Sequence, residues 1–198
     1  MKKYGIIILA AGGSTRMGVI KQLLPYNGKT LIQHAVDTAQ GALSQPVVVV
    51  TGARNDIFEP DNSVYMTHNA AWQEGIASSI RSGLNAILKM EPGLDAVIFL
   101  VCDQPHISAT LLKELIDAHE VGGKTIVASA YADTVGIPAL FHKSFFDTLQ
   151  QLKGDEGAKR IIMQNPDGVA VVDFPQGNID IDTEADYQEL KGGPTPAS

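Results

Sequence analysis

Two runs of apolar residues, GIIILAA at residues 5–11 and AVIFLV at residues 96–101, constrain the fold of this chain most strongly. A strand with one solvent-facing side alternates apolar and polar residues, whereas neither run contains a polar residue. Strands of this kind are buried on both faces, as in parallel sheets that are covered by helices. The two runs therefore predict a largely parallel central sheet with helices packed on both sides.

The rest of the chain alternates between strand-like and helix-like spacing of apolar residues. Strands are predicted near residues 5–10, 46–51, 95–101, 124–130 and 169–173. Apolar residues recur at helical spacing from Leu31 to Ala39, from Ile76 to Leu88 and, after a Ser108 cap, from Leu111 to Ile116. Thr183 and Asp186 form a predicted capping box that opens a last helix. This order of elements predicts an α/β fold with three layers and a mostly parallel central sheet.

The size and composition of the chain predict one domain. Its 198 residues, 44% of them hydrophobic, suit a single core, and no linker is evident within residues 1–191. Residues 192–198, GGPTPAS, are small, polar and interrupted by proline, so we expect them to form a flexible tail.

Charge, cysteine content and the length of the apolar runs argue against several classes of protein. A formal net charge of −7 disfavours sequence-independent nucleic-acid binding, which needs a basic surface. There is no apolar stretch of about 18 residues and no secretory signal pattern, so no membrane association is expected. The single cysteine, Cys102, excludes a disulfide framework, and a reducing cytoplasm is the expected location.

The stretch GGSTRMGVIK, which follows the first strand, has the composition of an anion-binding turn. Gly12 and Gly13 permit positive φ values and a close approach of the main chain, whose N–H groups can then face an anion. Arg16 and Lys21 lie four and nine positions beyond Gly12, where both can fold back toward the same anion. The pattern is not a Walker A loop, because Val19 stands where that loop needs lysine. On these residues alone, an ordinary turn with solvated cations remains an equal alternative.

Acidic residues follow the second apolar strand and precede the last helix. Asp103 lies at the carboxyl end of its strand, where ligands of open α/β sheets bind, although an aspartate there is also a common turn former. Asp180 and Asp182 are two residues apart, so in an extended segment both carboxylates point to one side. Magnesium suits such groups, because it prefers one or two carboxylates together with substrate phosphates.

The stretch LAAGGSTRMGVIKQLLPYNGKTLIQHAV resembles the signature L-A-(A/G)-G-x-S-x-R-M-G-x-x-K of the MobA-like nucleotidyltransferases of molybdenum-cofactor biosynthesis. The resemblance continues in NAAWQEGIASSIRSG at residues 69–83, CDQP at residues 102–105 and DIDT at residues 180–183. The resemblance covers about residues 5–190. It is strongest to the family's cytidylyltransferases, which typically have alanine at the position of Ala11, whereas the guanylyl branch of the family has glycine there. It implies a three-layer Rossmann-like nucleotidyltransferase fold.

The resemblance also implies an activity and its cofactor. The chain is expected to be a magnesium-dependent enzyme that transfers CMP from CTP to molybdopterin cofactor and releases pyrophosphate. A molybdenum hydroxylase that receives the product is the implied protein partner. Two alternatives remain: transfer to a sugar phosphate or another small phosphate, and a noncatalytic nucleotide-binding chaperone that delivers the cofactor.

The same resemblance assigns roles to individual residues. Arg16, Lys21 and Asp103 are the implied catalytic residues, with Asp103 the main Mg²⁺ ligand and Asp182 favoured over Asp180 as the second. The implied nucleotide-binding residues also include the turn and three polar residues further along: Leu9, Ala10, Ala11, Gly12, Gly13, Thr51, Asn69 and Ser79. The acceptor is expected to meet two irregular loops, YADTVGIPALF and the segment around Gly154.

Overall fold

A computed structural model of the protein describes residues 2–13, 18–43, 46–59 and 63–192. Its β-strands are β1 Tyr4–Leu9, β2 Pro25–Tyr26, β3 Lys29–Thr30, β4 Val47–Thr51, β5 Tyr65–His68, β6 Ala96–Val101, β7 Ile126–Tyr131, β8 Thr134–His142 and β9 Val169–Asp173. Seven of the described strands form one sheet in the order β5-β4-β1-β6-β8-β7-β9, and β2 pairs with β3 in a separate hairpin.

The seven-stranded sheet is mostly parallel, as the apolar runs predict. Strand β8 pairs antiparallel with both β6 and β7, whereas the pairs β5–β4, β4–β1, β1–β6 and β7–β9 are parallel. All five predicted strands are present with ends shifted by no more than two residues. The predicted α/β class with a mostly parallel central sheet is therefore confirmed.

Helices cover both faces of the sheet, and together with it they make three layers. The described helices are α1 Leu31–Ala42, α2 Ile76–Met90, α3 Ala109–Gly122, α4 Phe146–Gln150, α5 Ala158–Gln164 and α6 Glu184–Gly192. Alternate residues of β1 point to opposite faces, so Ile6 and Ile8 pack with α1 and α3 whereas Ile7 packs with α2 and α5. This explains why β1 has no polar position.

Strand β8 corrects one expectation, because the segment that contains it was predicted to be an irregular loop. Gly136 and Pro138 are typical of turns, but here they lie beside a bulge. Ala128 pairs with Ala139 and the next residue, Ser129, pairs with Gly136, so residues 137–138 have no partner in the ladder. A proline is tolerated at such a position because no ladder hydrogen bond is required from it.

Side-chain caps fix the starts of three helices, α1, α3 and α6. Thr30 and Gln33 form a capping box at α1, and the Ser108 hydroxyl accepts a hydrogen bond from Leu111 N at 3.1 Å at α3. The predicted box at α6 is also present, since Thr183 Oγ1 accepts from Asp186 N at 3.2 Å and Asp186 Oδ2 accepts from Thr183 N at 2.7 Å. These caps hold the segments that precede the helices.

Two predictions concern parts of the chain that the structure does not describe in full. Of the predicted tail, residues 192–198, residues 193–198 lie outside the described residues. Within the described residues, none of the helices has the length and apolar character needed to cross a membrane.

Gly83 allows α2 to approach the sheet closely, and we expect its replacement to destabilise the fold. An added Cβ at Gly83 would lie 2.5 Å from Cγ2 of Ile7 and 2.8 Å from Cγ2 of Val50, in the packed core. Gly122→Ala is the control, because this glycine also lies in a helix, at its last residue, and a Cβ there meets no atom within 4 Å. The free energy of unfolding from urea titration should be about 1–3 kcal/mol lower for Gly83→Ala than for Gly122→Ala. Equal values would contradict the packing.

Candidate active site

A cavity of about 380 Å³ opens at the carboxyl ends of β1 and β6, where the sequence places the glycine turn and Asp103. This is the end of an open α/β sheet at which ligands bind. Its wall includes seven of the predicted site residues: Leu9, Ala10, Ala11, Gly12, Lys21, Ser79 and Asp103. The fold therefore brings together residues from the first strand, the following loop, α2 and the central strand.

The ammonium group of Lys21 joins two carboxylates beside this cavity. Lys21 Nζ donates to Asp103 Oδ2 at 2.6 Å, to Asp182 Oδ1 at 2.9 Å and to the carbonyl of Ile181 at 3.3 Å. The Lys21 and Asp103 side chains are only 14% and 21% exposed, whereas Asp182 is 52% exposed. Burial alone would lower the pKa of Lys21, but the two carboxylates raise it above its ordinary value, so the ammonium stays charged. Arg16, the other predicted cation, lies outside the described residues.

The acidic turn, residues 177–182, is attached to the end of β6. Ile181 N donates to the carbonyl of Asp103 at 2.9 Å, and Gln104 Nε2 donates to the carbonyl of Gly177 at 2.9 Å. Of the two predicted second ligands, Asp182 shares the Lys21 ammonium with Asp103. Asp180 is exposed as a residue, but its carboxyl group is partly desolvated. This desolvation raises the pKa of Asp180, and the charge of Asp103 raises it further.

The glycine turn differs from its predicted conformation. Neither Gly12 nor Gly13 has a positive φ, whereas Gly18, near the other end of the stretch, has φ 65°. The described start of the turn is held by Gln22, a buried side chain whose Nε2 donates to the carbonyls of Ala10 at 3.0 Å and Gly12 at 2.8 Å. Sequence reasoning missed Gln22, because a single glutamine between Lys21 and two leucines has no distinguishing pattern.

Trp72 packs closely against the glycine turn, so a side chain at position 13 would require the indole to shift. An added Cβ at Gly13 would lie 3.0 Å from Cη2 of the indole, and one at Gly52 would lie 2.7 Å from the Trp72 Cβ. The residue also contributes to the cavity wall. The sequence favours packing as the role of an isolated tryptophan, and the structure shows that this packing is against the glycine turn.

Three polar residues predicted to contact the base and ribose occupy different places. Ser79 lies in the cavity wall, whereas Thr51 and Asn69 are buried and are not among the residues that line this cavity. The amide nitrogen of Asn69 donates to Ser78 Oγ at 2.8 Å and to Ser79 Oγ at 3.0 Å. Asn69 therefore orients the first turn of α2, and direct contacts of Thr51 and Asn69 with a nucleotide stay a prediction.

The segment around Gly154 contributes to the wall of the cavity through Asp155. The carbonyl of Gly154 accepts from Ala77 N at 3.1 Å, which ties this segment to the start of α2. Gly75 has φ 108°, and an added Cβ there would lie 2.5 Å from Oδ1 of Asp155, so only glycine fits. The nearby cation Arg160 is exposed and pairs with Glu156, so the group that reaches the cavity from this segment is an acid.

The fold and this arrangement agree with a comparison of the chain to known families. A model of the MobA-like NTP transferase domain matches residues 6–169. The chain belongs to this MobA-like NTP transferase family. Membership supports an enzyme of the nucleotidyltransferase class and confirms the family that the signature after the first strand predicts.

Individual relatives cover nearly the whole chain but differ in name. The chain is 27% identical to the purine catabolism protein PucB of Bacillus subtilis, over 93% of this chain and 94% of that protein. It is 29% identical to nicotine blue oxidoreductase of Paenarthrobacter nicotinovorans, over 89% and 91%. It is 31% identical to 2-C-methyl-D-erythritol 4-phosphate cytidylyltransferase of Nitrosomonas eutropha, over 68% and 62%. Because the names describe different activities, the family alone does not define the acceptor.

Solved structures show the same architecture. Rv0371c from Mycobacterium tuberculosis superposes with a TM-score of 0.83 at 26% identity, covering 97% of this chain and 99% of that one. A complex of Rv0371c with manganese superposes with a TM-score of 0.74 at 26% identity, covering 96% and 97%. The three-layer nucleotidyltransferase fold is thereby confirmed.

The contact between Gly13 and Trp72 predicts a spectroscopic change in the ligand-free protein. Gly13→Ala places a methyl group against the indole and should shift the emission maximum of Trp72, the chain's single tryptophan. Gly12→Ala is the control, because a Cβ at Gly12 meets no atom within 4 Å. The measurement is intrinsic fluorescence of the folded variants. The predicted contact would be refuted by the same emission maximum in wild type and in Gly13→Ala.

Proposed function

We propose that this protein transfers CMP from CTP to molybdopterin cofactor and releases pyrophosphate. The observation that carries the proposal is the Lys21 ammonium shared by Asp103 and Asp182 beside a glycine turn. A nucleoside triphosphate needs a cation for its phosphates and oxygen ligands for its metal, and this site offers both within one cavity wall. The molybdopterin acceptor is supported by the sequence resemblance to the family's cytidylyltransferases.

The reaction needs positioning and charge compensation more than it needs a protein nucleophile. A phosphate oxygen of the acceptor bonds to the α-phosphorus of CTP, while the bond from that phosphorus to the oxygen bridging to the β-phosphate breaks. Pyrophosphate leaves with the electron pair of that bond. Because the attacking oxygen is already anionic, the main obstacle is the crowding of negative charge, which fixed cations and orientation relieve.

The residues at the acidic turn fit a divalent metal ion. Asp103 and Asp182 carry hard carboxylate oxygens, and the Lys21 ammonium already stands between them as a cation. The described residues contain no group of three or more His, Cys, Asp or Glu side chains that could hold a metal alone, so substrate phosphates would complete the ligand set. Bound Mg²⁺ would neutralise charge on those phosphates. The manganese complex of Rv0371c supports a divalent ion in this family.

We expect Lys21 to change its partners when the nucleotide binds. In the ligand-free protein its ammonium group is shared between Asp103 and Asp182. A triphosphate presents several anionic oxygens, so we expect Lys21 to turn toward the phosphates when CTP binds. This movement would leave both carboxylates available for a metal ion and would give the phosphates their fixed cation.

Ala11 supports a pyrimidine over a purine nucleotide. Ala11 is 6% exposed and lies in the cavity wall. In the proposed function the base lies against this wall, so the methyl group would narrow the space for the base. A methyl-sized difference is worth about 1–3 kcal/mol, which favours one base without excluding the other. The relative that carries the word cytidylyltransferase in its name agrees with this preference.

A second acceptor class is favoured by one comparison. The relative at 31% identity is a cytidylyltransferase of 2-C-methyl-D-erythritol 4-phosphate, which is a small phosphate ester. The same attack by a phosphate oxygen on CTP would serve such an acceptor, and the cavity wall around Lys21 and Asp103 would be used in the same way. The two candidates therefore differ in the acceptor and share the chemistry.

Pyrophosphate release tests the proposal directly. We expect release from CTP with purified molybdopterin cofactor and Mg²⁺, and slower release from ATP or GTP. Lys21→Ala and Asp103→Asn should each lower turnover by about 10²-fold or more, because each removes charge stabilisation at the phosphates. Lys29→Ala and Asp37→Asn are matched controls, since they form an exposed ion pair away from the cavity wall, and they should retain wild-type turnover.

The outcomes of this assay separate the alternatives. Pyrophosphate release only with a small phosphate ester would support the second acceptor class and contradict molybdopterin as the acceptor. No release with any nucleotide, while CTP still raises the melting temperature, would favour a nucleotide-binding chaperone instead of an enzyme.

The shared ammonium also predicts metal binding in the absence of nucleotide. Lys21→Met should bind Mn²⁺ about tenfold more tightly than wild type or better, because the variant no longer places a cation between Asp103 and Asp182. A unit charge at 4 Å is worth about 4 kcal/mol at an effective dielectric constant of 20, which exceeds a tenfold effect. The free Mn²⁺ signal in electron paramagnetic resonance measures the affinity, with Lys29→Met as the control. Unchanged Mn²⁺ affinity in Lys21→Met would contradict this role.

A further inference from the structure

A buried glutamine connects the central strand to the acidic turn across a long stretch of chain. Gln104, the residue after Asp103, is 6% exposed. Its Nε2 donates to the carbonyl of Gly177 at 2.9 Å, between residues that are 73 positions apart. The second link is a main-chain hydrogen bond, from Ile181 N to the carbonyl of Asp103 at 2.9 Å. Gln104 thus provides the side-chain link between β6 and the start of the turn.

We propose that Gln104 is a positioning residue that holds the acidic turn so that Asp182 and Asp103 face the same cation. The inference rests on the proposed function, in which these two carboxylates bind a metal ion with the phosphates of CTP. Without the hydrogen bond to Gly177, the first half of the turn would lose its side-chain attachment to the residue after Asp103, and the orientation of the Asp182 carboxylate would be less strictly fixed.

The surroundings of Gly177 make the hydrogen bond from Gln104 a defined anchor. Gly177 N donates to the carbonyl of Phe174 at 2.8 Å. An added Cβ at Gly177 would lie 2.5 Å from Cδ1 of Phe174, and the Tyr131 ring packs edge-on against Phe174 with centroids 6.2 Å apart. The carbonyl that Gln104 binds is therefore part of a packed corner. The far end of the turn is held by Asp186 Oδ2, which accepts from Asp182 N at 3.1 Å.

The Gln104 side chain has both favourable and unfavourable contacts. Its Oε1 atom is buried and has no hydrogen-bond partner among the described residues, which is unfavourable. Methionine at this position would remove that unsatisfied acceptor, but it would leave the carbonyl of Gly177 without its donor, and these two effects on stability are opposite in sign. The Gln104 side chain also interacts with the Asp180 carboxylate, so a second contact of this glutamine is with the acidic turn.

The test compares thermal stability with metal dependence in Gln104→Met. We expect the melting temperature to change by no more than about 2 °C, since 1 kcal/mol corresponds to about 2–4 °C in a chain of this size. The Mg²⁺ concentration for half-maximal CTP binding, followed by the fluorescence of Trp72 in the cavity wall, should rise about fivefold or more. Gln150→Met is the control, because this glutamine donates to Asn85 in an exposed hydrogen bond and should leave both values unchanged.

Gln104→Leu gives a second apolar substitution of similar size. Melting temperatures lowered by more than about 5 °C in both variants would overturn the proposal in favour of a purely structural role. A half-maximal Mg²⁺ concentration equal to that of wild type in a folded Gln104→Met variant would overturn it as well.

A double-mutant cycle with Asp182→Asn separates this inference from the proposed function. If Gln104 acts through Asp182, Asp182→Asn should raise the required Mg²⁺ concentration strongly in wild type and much less in the Gln104→Met background. Effects that multiply in the double variant would overturn the role of Gln104 and leave Asp182 as a metal ligand. If Asp182→Asn changes nothing in wild type while CTP still binds, the metal role of Asp182 fails, and the role of Gln104 fails with it.

Discussion

The sharing of one ammonium group between two carboxylates is the interaction on which the site depends. Lys21, Asp103 and Asp182 together carry one net negative charge, in a protein whose formal net charge is −7. Free phosphates are therefore attracted only where a cation is within reach, and a metal-bound triphosphate brings its own positive charge. Holding the cation between the acids keeps three charged groups from facing a partly buried cavity unpaired.

The three charged residues come from the beginning, the middle and the end of the chain, and the sheet brings them together. Lys21 follows β1, Asp103 ends β6, and these strands are neighbours with parallel pairing from Tyr4 with Ala96 to Leu9 with Val101. After β9, the acidic turn returns to the carboxyl ends of β1 and β6. The helix that follows the turn, α6, is held in place by Tyr187, whose hydroxyl donates to the carbonyl of Pro25 at 2.7 Å. The site thus requires almost the entire described fold, which agrees with relatives that match over most of their length.

Much of this arrangement could be predicted from local sequence, and the remainder depends on contacts that leave no local pattern. Continuous apolar runs predicted β1 and β6, and their carboxyl ends located Lys21 and Asp103. Strand β8 could not be predicted, because its glycine and proline are tolerated only through the bulge opposite Ser129. Gln22 and Gln104 were missed for a related reason: a glutamine near a turn is usually solvated, and their hydrogen bonds to distant carbonyls exist only in the folded chain.

The cavity wall carries two carboxylates, from Asp103 and Asp155, and Lys21 is the one cation among the described residues that line it. Asp155 brings its carboxylate to the wall beside the glycine at position 75. Within the proposed function, the phosphates of CTP are expected near Lys21 and away from the carboxylate of Asp155. In the same proposal, Lys21, Asp103 and Asp182 serve bond formation, and recognition of the acceptor falls to other residues. Such a division agrees with a family that has one fold and relatives of different names.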